Sequence, residues 1–534
     1  MKKFKLTRSS IVKGIFIGLA LVLLIHLGLY IYNAAKVLPS DLTLGYGEGY
    51  HVWLGQQYME DIPPYHPLTE PPAIALGYAP IYHMLTGFIG SIFGYELWVG
   101  RTVSFVSALL TGLFIFLIVK RITKSKSAGA IGGLIFFLPP IIKYWSLLYR
   151  VDTLALMFTL AGIYLALRFD DRRRLLWSVP LFVLAFYTKQ SFIAAPLAIG
   201  LYLLIKDRKL FLQFASLGII SGLTILGVGS LLTQGEFFHH LVLLSGGMPM
   251  YFSNITLLYG TFIKEHIFLL LPAMVMVGLH FKSRKWGILD LYLPIVALTL
   301  LGIAKEGSWY NYGIELIALC SILIGCLVPY LYKSMMDVKF PVRLKVPEGL
   351  LLKGGSSSQV FCAGFISAFL VIVLIFQSGN TSSYQAILFH PNPQETTRVQ
   401  MEVRELIKSV PGKVICENSY LLVKEDKEIL WEPSALVQYA KMGSWDQTWF
   451  VNTIVNQDYD LIILDWTLDW YFSGPPEGYG LPERYWIANQ RCTDEIANVI
   501  NSRYFLYGTY GDTDFSRMQE GEAYYVYAPK IGGN

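Results

Sequence analysis

The sequence is dominated by apolar runs that are long enough to cross a lipid bilayer as helices. A membrane-spanning helix needs about 20 mostly apolar residues. Its backbone polar groups must pair within the helix, so a chain with many such runs folds as a helical bundle. We therefore predict an α-helical polytopic membrane protein. The eleven predicted spans lie near residues 12–33, 93–119, 127–146, 151–168, 175–188, 191–205, 210–232, 257–281, 287–304, 312–332 and 359–377.

The connections between these runs are alternately rich and poor in basic residues. With the N-terminus placed in the cytoplasm, every second connection is rich in Lys and Arg, as cytoplasmic loops usually are. The alternation predicts that a first outer loop (residues 34–92) and the region from about residue 378 lie outside the cytoplasm. We expect the first run to be retained rather than cleaved as a signal peptide. The few cations assigned to the outer side are Lys36, Arg101, Lys143, Arg150, Lys189, Lys264 and Lys305.

Composition agrees with a membrane protein and excludes nucleic acid as a partner. Charged residues make up 15% of the chain, against about a quarter in soluble domains. The net charge of +5 is too small for a nucleic-acid-binding surface. Aromatic residues make up 15%; they suit both the membrane boundary and sugar binding. Membrane lipids are therefore expected partners.

The last part of the chain has the pattern of a small α/β domain. KVICEN, YDLIILDW and AYYVYAP read as strands, and segments with helical spacing lie between and before them. This alternation predicts a partly parallel sheet, whereas GTYGDTD (508–514) reads as a turn-rich loop. We predict a transmembrane domain over residues 1–378, with a linker at LKGGSSSQ (352–359), and an extracytoplasmic α/β domain over residues 379–534. Such a compartment would allow a disulfide between Cys416 and Cys492, and the sequence does not decide whether the two pair.

Acidic residues gather in the first outer loop, which has no Lys or Arg from residue 41 to residue 90. Glu48 and His51 are three residues apart in a segment of helical period, so they would share one face. A carboxylate at the mouth of a membrane cavity can act as a general base on a hydroxyl. Partial burial would raise its pKa. The alternative is that these acids, Asp41 among them, only solvate the loop.

Polar residues also interrupt the apolar pattern at the predicted outer ends of later spans. Arg150 and Asp152 lie between two apolar runs, where charges are costly unless they are paired or functional. They form either a structural ion pair or part of a site. Lys189 and Gln190 interrupt a hairpin, and a lysine there can bind phosphate as a point charge. The alternative for Lys189 is a side chain that extends to the interface.

A third polar group lies near the predicted end of a span and the start of the next. Lys305, Tyr310 and Asn311 combine a cation, an aromatic face and an amide, which suits a sugar or a lipid phosphate. The alternative is an aromatic belt with its usual anchors. No cofactor is required by any motif. A divalent metal at Glu48, His51 or the pair His239–His240 is compatible with their chemistry, but no spacing demands it.

Several segments in order resemble the GT-C fold glycosyltransferases, a group that includes protein O-mannosyltransferases and the bacterial lipid A aminoarabinose transferase. The acidic motif YGEGYHVW follows the first span, and YAPIYHML, which contains Tyr82, resembles the Pro-containing motif after it. A second acidic motif of the family is matched by LLYRVDTLALMFTLAGIYLALR. A helical hairpin of the family is matched by FVLAFYTKQSFIAAPLAIGLYLL. The similarity covers roughly residues 30–205.

The resemblance implies transfer of a sugar from a polyprenyl-phosphate donor to a glycan, lipid or protein acceptor on the outer side. It implies inversion at the anomeric carbon, with a carboxylate of the first outer loop as base. Glu48 matches the second acid of the family's pair and Asp152 the later acidic motif. Gly47 occupies the place of the first acid, so Asp41 is the candidate to compensate.

The resemblance also assigns substrate-binding candidates. Ala79 stands where the family often has a cation, so phosphate binding would pass to Lys189, Arg150 or Lys305. The full set of substrate-binding candidates is His51, Tyr82, Arg150, Lys189, Gln190, Lys305, Tyr310 and Asn311.

Two other classes of function remain open from the sequence. A transporter or lipid-sugar flippase also needs many spans and intramembrane charges. It would show interrupted helices at matching positions of two halves, and Pro139–Pro140 has no such counterpart in the sequence. A membrane scaffold with an outer binding domain is the other class, but it does not explain the acidic residues of the first outer loop.

Overall fold

The structure is a computed structural model that describes residues 8–45, 47–60, 64–168, 172–337, 393–473, 491–511 and 523–530. Helices dominate the part of the chain before residue 338, and helices and strands alternate after residue 392. The predicted linker at 352–359, the predicted span at 359–377 and the domain boundary at residue 378 lie outside the described residues. The helices of the first part are α1 Arg8–Val37, α2 Glu48–Gln57, α3 Ile81–Phe93, α4 Leu97–Thr123, α5 Lys126–Ile135, α6 Pro140–Trp145, α7 Asp152–Arg168, α8 Val179–Phe186, α9 Ala194–Lys206, α10 Arg208–Leu232, α11 Glu236–Phe238, α12 Ser245–Gly247, α13 Phe252–Asn254, α14 Gly260–Lys282, α15 Ile288–Thr299 and α16 Ile314–Asp337.

Five helical segments of the described chain are long and apolar enough to cross a membrane. They are Val12–Val37, Leu97–Thr123, Arg208–Leu232, Phe252–Lys282 and Tyr310–Met336. α16 is central and largely buried, whereas α10 exposes its apolar side chains, as a helix that faces lipid does. The protein is a multi-pass membrane protein, and ten of the eleven predicted spans coincide with helical segments.

The bundle is built around close contacts between small residues. A Cβ on Gly325 of α16 would lie 3.1 Å from the Cα of Gly132 in α5. Small residues let membrane helices approach closely, which increases their van der Waals contact. The predicted span at 127–146 is divided at Pro139, because α5 ends at Ile135 and α6 starts at Pro140. Proline has no backbone N–H to donate and favours the first turn of a helix.

The first outer loop holds more helix than the sequence pattern indicated. α2 corresponds to the predicted helical segment after Gly47, and α3 adds a second apolar helix over Ile81–Phe93. The two cross tightly, since a Cβ on Gly87 would lie 2.1 Å from the carbonyl oxygen of Gly55. α3 was not predicted because it is only 13 residues long and follows two prolines and a loop. The crossing places both helices over the ends of α4 and α7.

The C-terminal region (the described residues from 393 to 530) contains a four-stranded mixed sheet. The strands are β1 Lys413–Cys416, β2 Tyr459–Leu464, β3 Tyr504–Gly511 and β4 Ala523–Pro529. Their order is β1-β2-β4-β3, with β1 and β2 parallel and both other pairs antiparallel. The partly parallel sheet is therefore confirmed. The helices are α17 Pro393–Ser409, α18 Ser419–Lys424, α19 Pro433–Lys441, α20 Thr448–Val455, α21 Leu468–Ser473 and α22 Asp494–Arg503.

One local prediction for the C-terminal region is wrong, and one open alternative is decided. Residues 508–511 of the predicted loop GTYGDTD belong to strand β3, which pairs with β4 and contains a register irregularity between Leu506 and Gly508. The glycines suggested a turn, but cross-strand pairing of the tyrosines around them decides the conformation. Cys416 and Cys492 are separate buried thiols, so the structure contains no disulfide between them.

The C-terminal region holds the first outer loop at two places. At the first, a Cβ on Gly49 of α2 would lie 2.1 Å from the backbone nitrogen of Tyr420 in α18. Tyr420 also donates its hydroxyl to Glu96 at 2.7 Å. At the second, Ala73 and Trp431 form a parallel β-bridge. These contacts fix the first outer loop between the membrane helices and the sheet.

Candidate functional site

Glu48 and Arg101 form a fully buried ion pair beneath the first outer loop. Arg101 donates from Nε to Oε1 at 2.9 Å and from Nη2 to Oε2 at 2.8 Å, which is bidentate geometry. The backbone N–H groups of Leu44 and Tyr149 donate to the same carboxylate at 2.7 and 2.9 Å. Both side chains are 0% exposed. Glu48 therefore accepts four hydrogen bonds from three separate segments of the chain.

The remaining donors of Arg101 hold the start of the first outer loop. Its terminal nitrogens donate to the carbonyl oxygens of Val37, Ser40 and Leu42 at 2.7 to 3.1 Å. A guanidinium has five N–H donors in a fixed fork, and all five have an acceptor here. The pair therefore ties α4 to the chain that leads from α1 into α2.

The electrostatics of Glu48 differ from the sequence-based expectation. Burial alone opposes its ionisation, but the charge and hydrogen bonds of Arg101, together with the backbone donors, outweigh burial. The pKa of Glu48 lies below its ordinary value. The expectation of a raised pKa at the mouth of a cavity is therefore wrong. The reason is Arg101, a partner 53 residues away that the local sequence does not reveal.

A second buried ion pair joins three of the predicted site residues. Lys189 Nζ donates to Asp152 Oδ1 at 2.5 Å, and the amide of Asn311 donates to the same oxygen at 2.8 Å. Lys189 also lies over the ring of Tyr312, 4.5 Å from its centroid. Asp152 thus pairs with Lys189 from the turn between α8 and α9, and not simply with its neighbour in sequence. Residues from three distant segments meet at the N-terminal end of α7.

Arg150 lies between the two ion pairs and faces the first outer loop. Its Nη1 donates to Nε2 of His51 at 3.2 Å and lies 3.5 Å from the hydroxyl of Tyr78. The guanidinium lies over the ring of Trp145, 5.7 Å from the centroid. A Cβ on Gly47 would lie 3.6 Å from both terminal nitrogens of Arg150. The positive group is therefore held beside a residue that has no side chain.

His51 continues this chain of hydrogen bonds to His83. The two rings are stacked, and His51 Nδ1 lies 2.8 Å from His83 Nε2. Both imidazoles are buried. Burial, with the nearby charge of Arg150, holds the pKa of His51 well below its ordinary value, so this imidazole is neutral.

Ser104 in α4 holds the backbone of Arg150 and the side chain of Thr153. The hydroxyl of Ser104 donates to the carbonyl of Arg150 at 2.9 Å, and the carbonyl of Ser104 accepts from Thr153 at 3.0 Å. Tyr82 hydrogen-bonds to Ser104 and to the carbonyl of Gly100, both at 3.0 Å. Tyr82 is buried, so its hydroxyl is used in packing α3 against α4.

The other predicted residues lie outside this group of contacts. Asp41 is exposed, unlike Glu48 and Asp152. Gln190 donates to the carbonyl of Gly77 at 3.1 Å. Lys305 donates to the carbonyl of Ser245, and burial lowers its pKa. Tyr310 is half-buried and packs beside Trp309, with ring centroids 5.1 Å apart.

One group in the described residues has ligand atoms placed as a metal site requires. Glu236, His239 and His240 offer ligand atoms that all lie within 4.8 Å of one another. Both ring nitrogens of His240 already have backbone hydrogen-bond partners. Nδ1 of His240 accepts from the N–H of Leu76 at 3.0 Å, and Nε2 lies 2.8 Å from the carbonyl of His66.

These contacts bear on whether a metal fits. An imidazole that accepts at Nδ1 carries its proton on Nε2, so His240 would have to release one backbone partner before it could bind a cation. Glu236 and His239 are half-buried and more accessible, with Nδ1 of His239 3.1 Å from the carboxylate. The cluster as it stands ties the first outer loop to the segment after α10.

Three residues near Arg150 and Glu48 were not among the predicted site residues. Arg101 was counted only as an outer cation, although a charge inside an apolar run is itself a sign of a buried partner. His83 lies in the motif YAPIYHML of the first outer loop, where the sequence alone gives it no role. The backbone of Tyr149 contributes through its N–H, which no side-chain pattern can reveal.

Comparison with known proteins agrees with the predicted fold. Residues 77–228 match the family described as dolichyl-phosphate-mannose-protein mannosyltransferase. No curated protein matches the sequence. The structure is similar to that of ArnT from Cupriavidus metallidurans bound to undecaprenyl phosphate, with a TM-score of 0.58 and 12% identity, over 95% of this chain and 98% of that one.

Two further solved structures show the same architecture. The apo form of ArnT from Cupriavidus metallidurans has a TM-score of 0.57 and 13% identity, and the match covers 95% of this chain and 97% of that one. An Archaeoglobus fulgidus oligosaccharyltransferase in the apo form has a TM-score of 0.52 and 12% identity, over 97% of this chain and 74% of that one. The predicted resemblance is confirmed: this chain is a membrane glycosyltransferase with the GT-C fold, and its residues 77–228 match the dolichyl-phosphate-mannose-protein mannosyltransferase family.

Proposed function

We propose that this enzyme transfers a sugar from a polyprenyl-phosphate carrier to an acceptor hydroxyl, with inversion, at the N-terminal end of α7. The observation that carries the proposal is the meeting of Arg150 and Lys189 with Asp152 and Asn311 beneath the first outer loop. The ArnT structure bound to undecaprenyl phosphate supports a lipid-phosphate carrier as donor. Glycan, lipid and protein hydroxyls are the acceptor classes to test.

In this proposal the two cations stabilise the leaving group. The bond between the anomeric carbon and the phosphate oxygen breaks, and its electron pair stays with the lipid phosphate. Arg150 offers a planar fork that matches phosphate, and Lys189 offers a point charge. Stabilising charge where it develops is usually the largest catalytic contribution of an enzyme. Asp152 and Asn311 would hold Lys189 in place until the phosphate arrives.

The acceptor hydroxyl forms the new bond to the anomeric carbon and must lose its proton. A general base has to be within hydrogen-bond reach of that proton. Of the three predicted acids, Asp41 is exposed, whereas Glu48 and Asp152 are buried in ion pairs. We therefore propose Asp41, which lies outside both ion pairs, as the base, with Glu48 holding the first outer loop. This proposal requires the bound acceptor to extend to the start of that loop. A direct role of Glu48 as base stays a rival prediction.

We further propose the orientation and the division of the chain. The N-terminus would lie in the cytoplasm, the membrane domain would extend to residue 378, and residues 379–534 would form an extracytoplasmic α/β domain. The distribution of Lys and Arg supports this. Exposed Lys408 in α17 and exposed Lys285 after α14 are suitable labelling positions. In intact cells, a membrane-impermeant maleimide should label Lys408→Cys and spare Lys285→Cys; the reverse pattern would refute the orientation.

The function is tested with purified enzyme in liposomes. Undecaprenyl-phosphate sugars with a radiolabelled sugar are the donor probes, and crude membrane glycans, lipids and proteins are the acceptors. Arg150→Gln and Lys189→Met should each lower transfer about 100-fold or more, as expected for groups that stabilise developing charge. Lys264→Met is the matched control, because Lys264 is an exposed cation of α14.

The transfer rates of these variants test the phosphate site and the general base separately. Unchanged transfer in both cation variants would refute the phosphate site. Asp41→Asn should abolish transfer while the enzyme still binds undecaprenyl phosphate. Full activity of Asp41→Asn would instead exclude Asp41 as the base and leave Glu48 as the candidate.

A further inference from the structure

We propose that His83 is a positioning residue: through His51 it holds the guanidinium of Arg150 toward the space beside Gly47, where an oxyanion of the substrate binds. This inference rests on the proposed function, because it takes the oxyanion to be the phosphate of the lipid donor. His83 itself contacts His51 and acts on Arg150 only through that ring.

The hydrogen bonds fix the direction of every proton in this relay. Arginine only donates, so Nε2 of His51, 3.2 Å from Arg150 Nη1, is the acceptor. The proton of neutral His51 must then be on Nδ1, which donates to Nε2 of His83 at 2.8 Å. His83 in turn carries its proton on Nδ1 and bonds to the backbone of Ala79. The relay therefore runs from Arg150 through two neutral imidazoles to the backbone just before α3.

A neutral acceptor has a specific consequence for Arg150. A carboxylate in the place of His51 would hold the guanidinium, but it would also cancel part of its positive charge. Coulomb attraction to a phosphate depends on that charge, and the effect is larger away from bulk water. An imidazole that accepts one N–H fixes the guanidinium and adds no negative charge. His51 thus supplies the position of the guanidinium, and Arg150 supplies the full positive charge.

Gly47 places no side chain against the guanidinium of Arg150. Gly47 has φ +87°, and a Cβ there would lie 3.6 Å from both terminal nitrogens of Arg150. A longer side chain would reach the guanidinium, and an acidic one would compete with a bound phosphate. Glycine also adopts this left-handed conformation without the steric cost that other residues meet. The guanidinium therefore faces the backbone of Gly47 rather than a side chain.

The rings of His51 and His83 are more than packing groups. Two apolar side chains of similar volume would fill the same space, and they would not require the desolvation of four ring nitrogens. The described structure gives each of these nitrogens a partner. A relay of this length is a means of fixing one rotamer of Arg150, whose side chain otherwise loses much conformational entropy on ordering.

Matched amide variants of His83 test the relay. The side chain of His83→Gln places an amide oxygen near the position of Nε2, where it can accept from His51, whereas the shorter side chain of His83→Asn cannot reach. Both are buried amides, so their effects on folding should be similar. In liposomes, His83→Asn should raise the Kd for undecaprenyl phosphate and the KM for the donor at least tenfold, and His83→Gln should stay within about threefold of wild type. His266→Asn, at another buried histidine, should leave Kd unchanged.

A second readout does not depend on the donor. Phenylglyoxal modifies guanidinium groups, and mass spectrometry gives the rate at Arg150. That rate should rise in His83→Asn, because His51 no longer holds Arg150, and it should stay near the wild-type rate in His83→Gln. Equal rates in wild type and His83→Asn would overturn the relay. A changed rate without any lipid-phosphate binding by the wild type would instead keep the relay and refute the proposed donor.

Discussion

The replacement Glu48→Gln separates the two roles that Glu48 can have. The variant keeps the size of the side chain and removes its charge. Arg101 would remain 0% exposed and would keep at most one of its two bonds to this side chain, through the amide oxygen, together with the carbonyl oxygens of the loop. The new amide group would also point an N–H toward donors that now bond to Glu48.

The size of the effect follows from the burial of both charges. Removing one partner of a buried ion pair costs about 3–5 kcal/mol, because the other charge is left without compensation. No discount for solvent screening applies to a pair that water does not reach. We expect the free energy of unfolding of Glu48→Gln to fall by about this amount. Arg101→Gln should fall similarly, and the double variant should lose less than the sum of the two.

The assay is a denaturant titration in mixed micelles, followed by intrinsic fluorescence, with transfer measured on the same samples. Glu70→Gln is the matched control, since Glu70 is an exposed acid of the first outer loop. If Glu48→Gln keeps wild-type stability and loses all transfer, the anchoring role is refuted and the role of general base is favoured. Loss of stability with partial transfer would support the anchor.

The same pair predicts a dependence of stability on pH. The pKa of Glu48 is lowered from 4.5 in the folded state, so the unfolded state binds the proton more readily. The stability from the pair is therefore complete above pH about 4.5 and is lost as pH falls through the folded pKa. The wild type should lose more stability on acidification than the double variant, and equal losses would refute the argument.

Three other perturbations address the first outer loop. Gly49→Ala should separate α2 from α18, because a Cβ would lie 2.1 Å from the backbone of Tyr420; limited proteolysis of the C-terminal region should become faster. Gly47→Ala should cost about 1–2 kcal/mol in thermal stability, since its φ of +87° is unfavourable for a side chain. His240→Ala should increase hydrogen exchange at residues 66–76; because the folded-state pKa of His240 is about 4, against 6.5 when unfolded, the wild type should lose stability as pH falls between these values.

The periodic features of the chain could be predicted from its sequence. Apolar runs gave the positions of ten helical segments, and alternating strands and helices gave the mixed sheet. These features depend on neighbours along the chain. Helix α3 and strand β3 were missed because prolines, glycines and short length hid their patterns, and tertiary contacts decide both conformations.

The partners within the site could not be predicted in the same way. The sequence drew attention to Asp152 and Lys189 separately, since both interrupt apolar runs, yet their pairing depends on how α7, α8 and α9 pack. Glu48 was identified, but its environment was not, because Arg101 lies on a different helix. Charges in apolar runs therefore indicate that a site exists, while its connections require the fold.

The double hold of the C-terminal region on the first outer loop has a consequence for building chimaeras of this enzyme. Gly49 against Tyr420 and Ala73 beside Trp431 form a seam between the loop and the C-terminal region, and its two sides have to match in shape. Exchanging the sheet alone would place mismatched surfaces on that seam and disturb the segment that carries Asp41 and Glu48. The module to transplant is therefore the loop together with the sheet, leaving the membrane helices as the recipient frame.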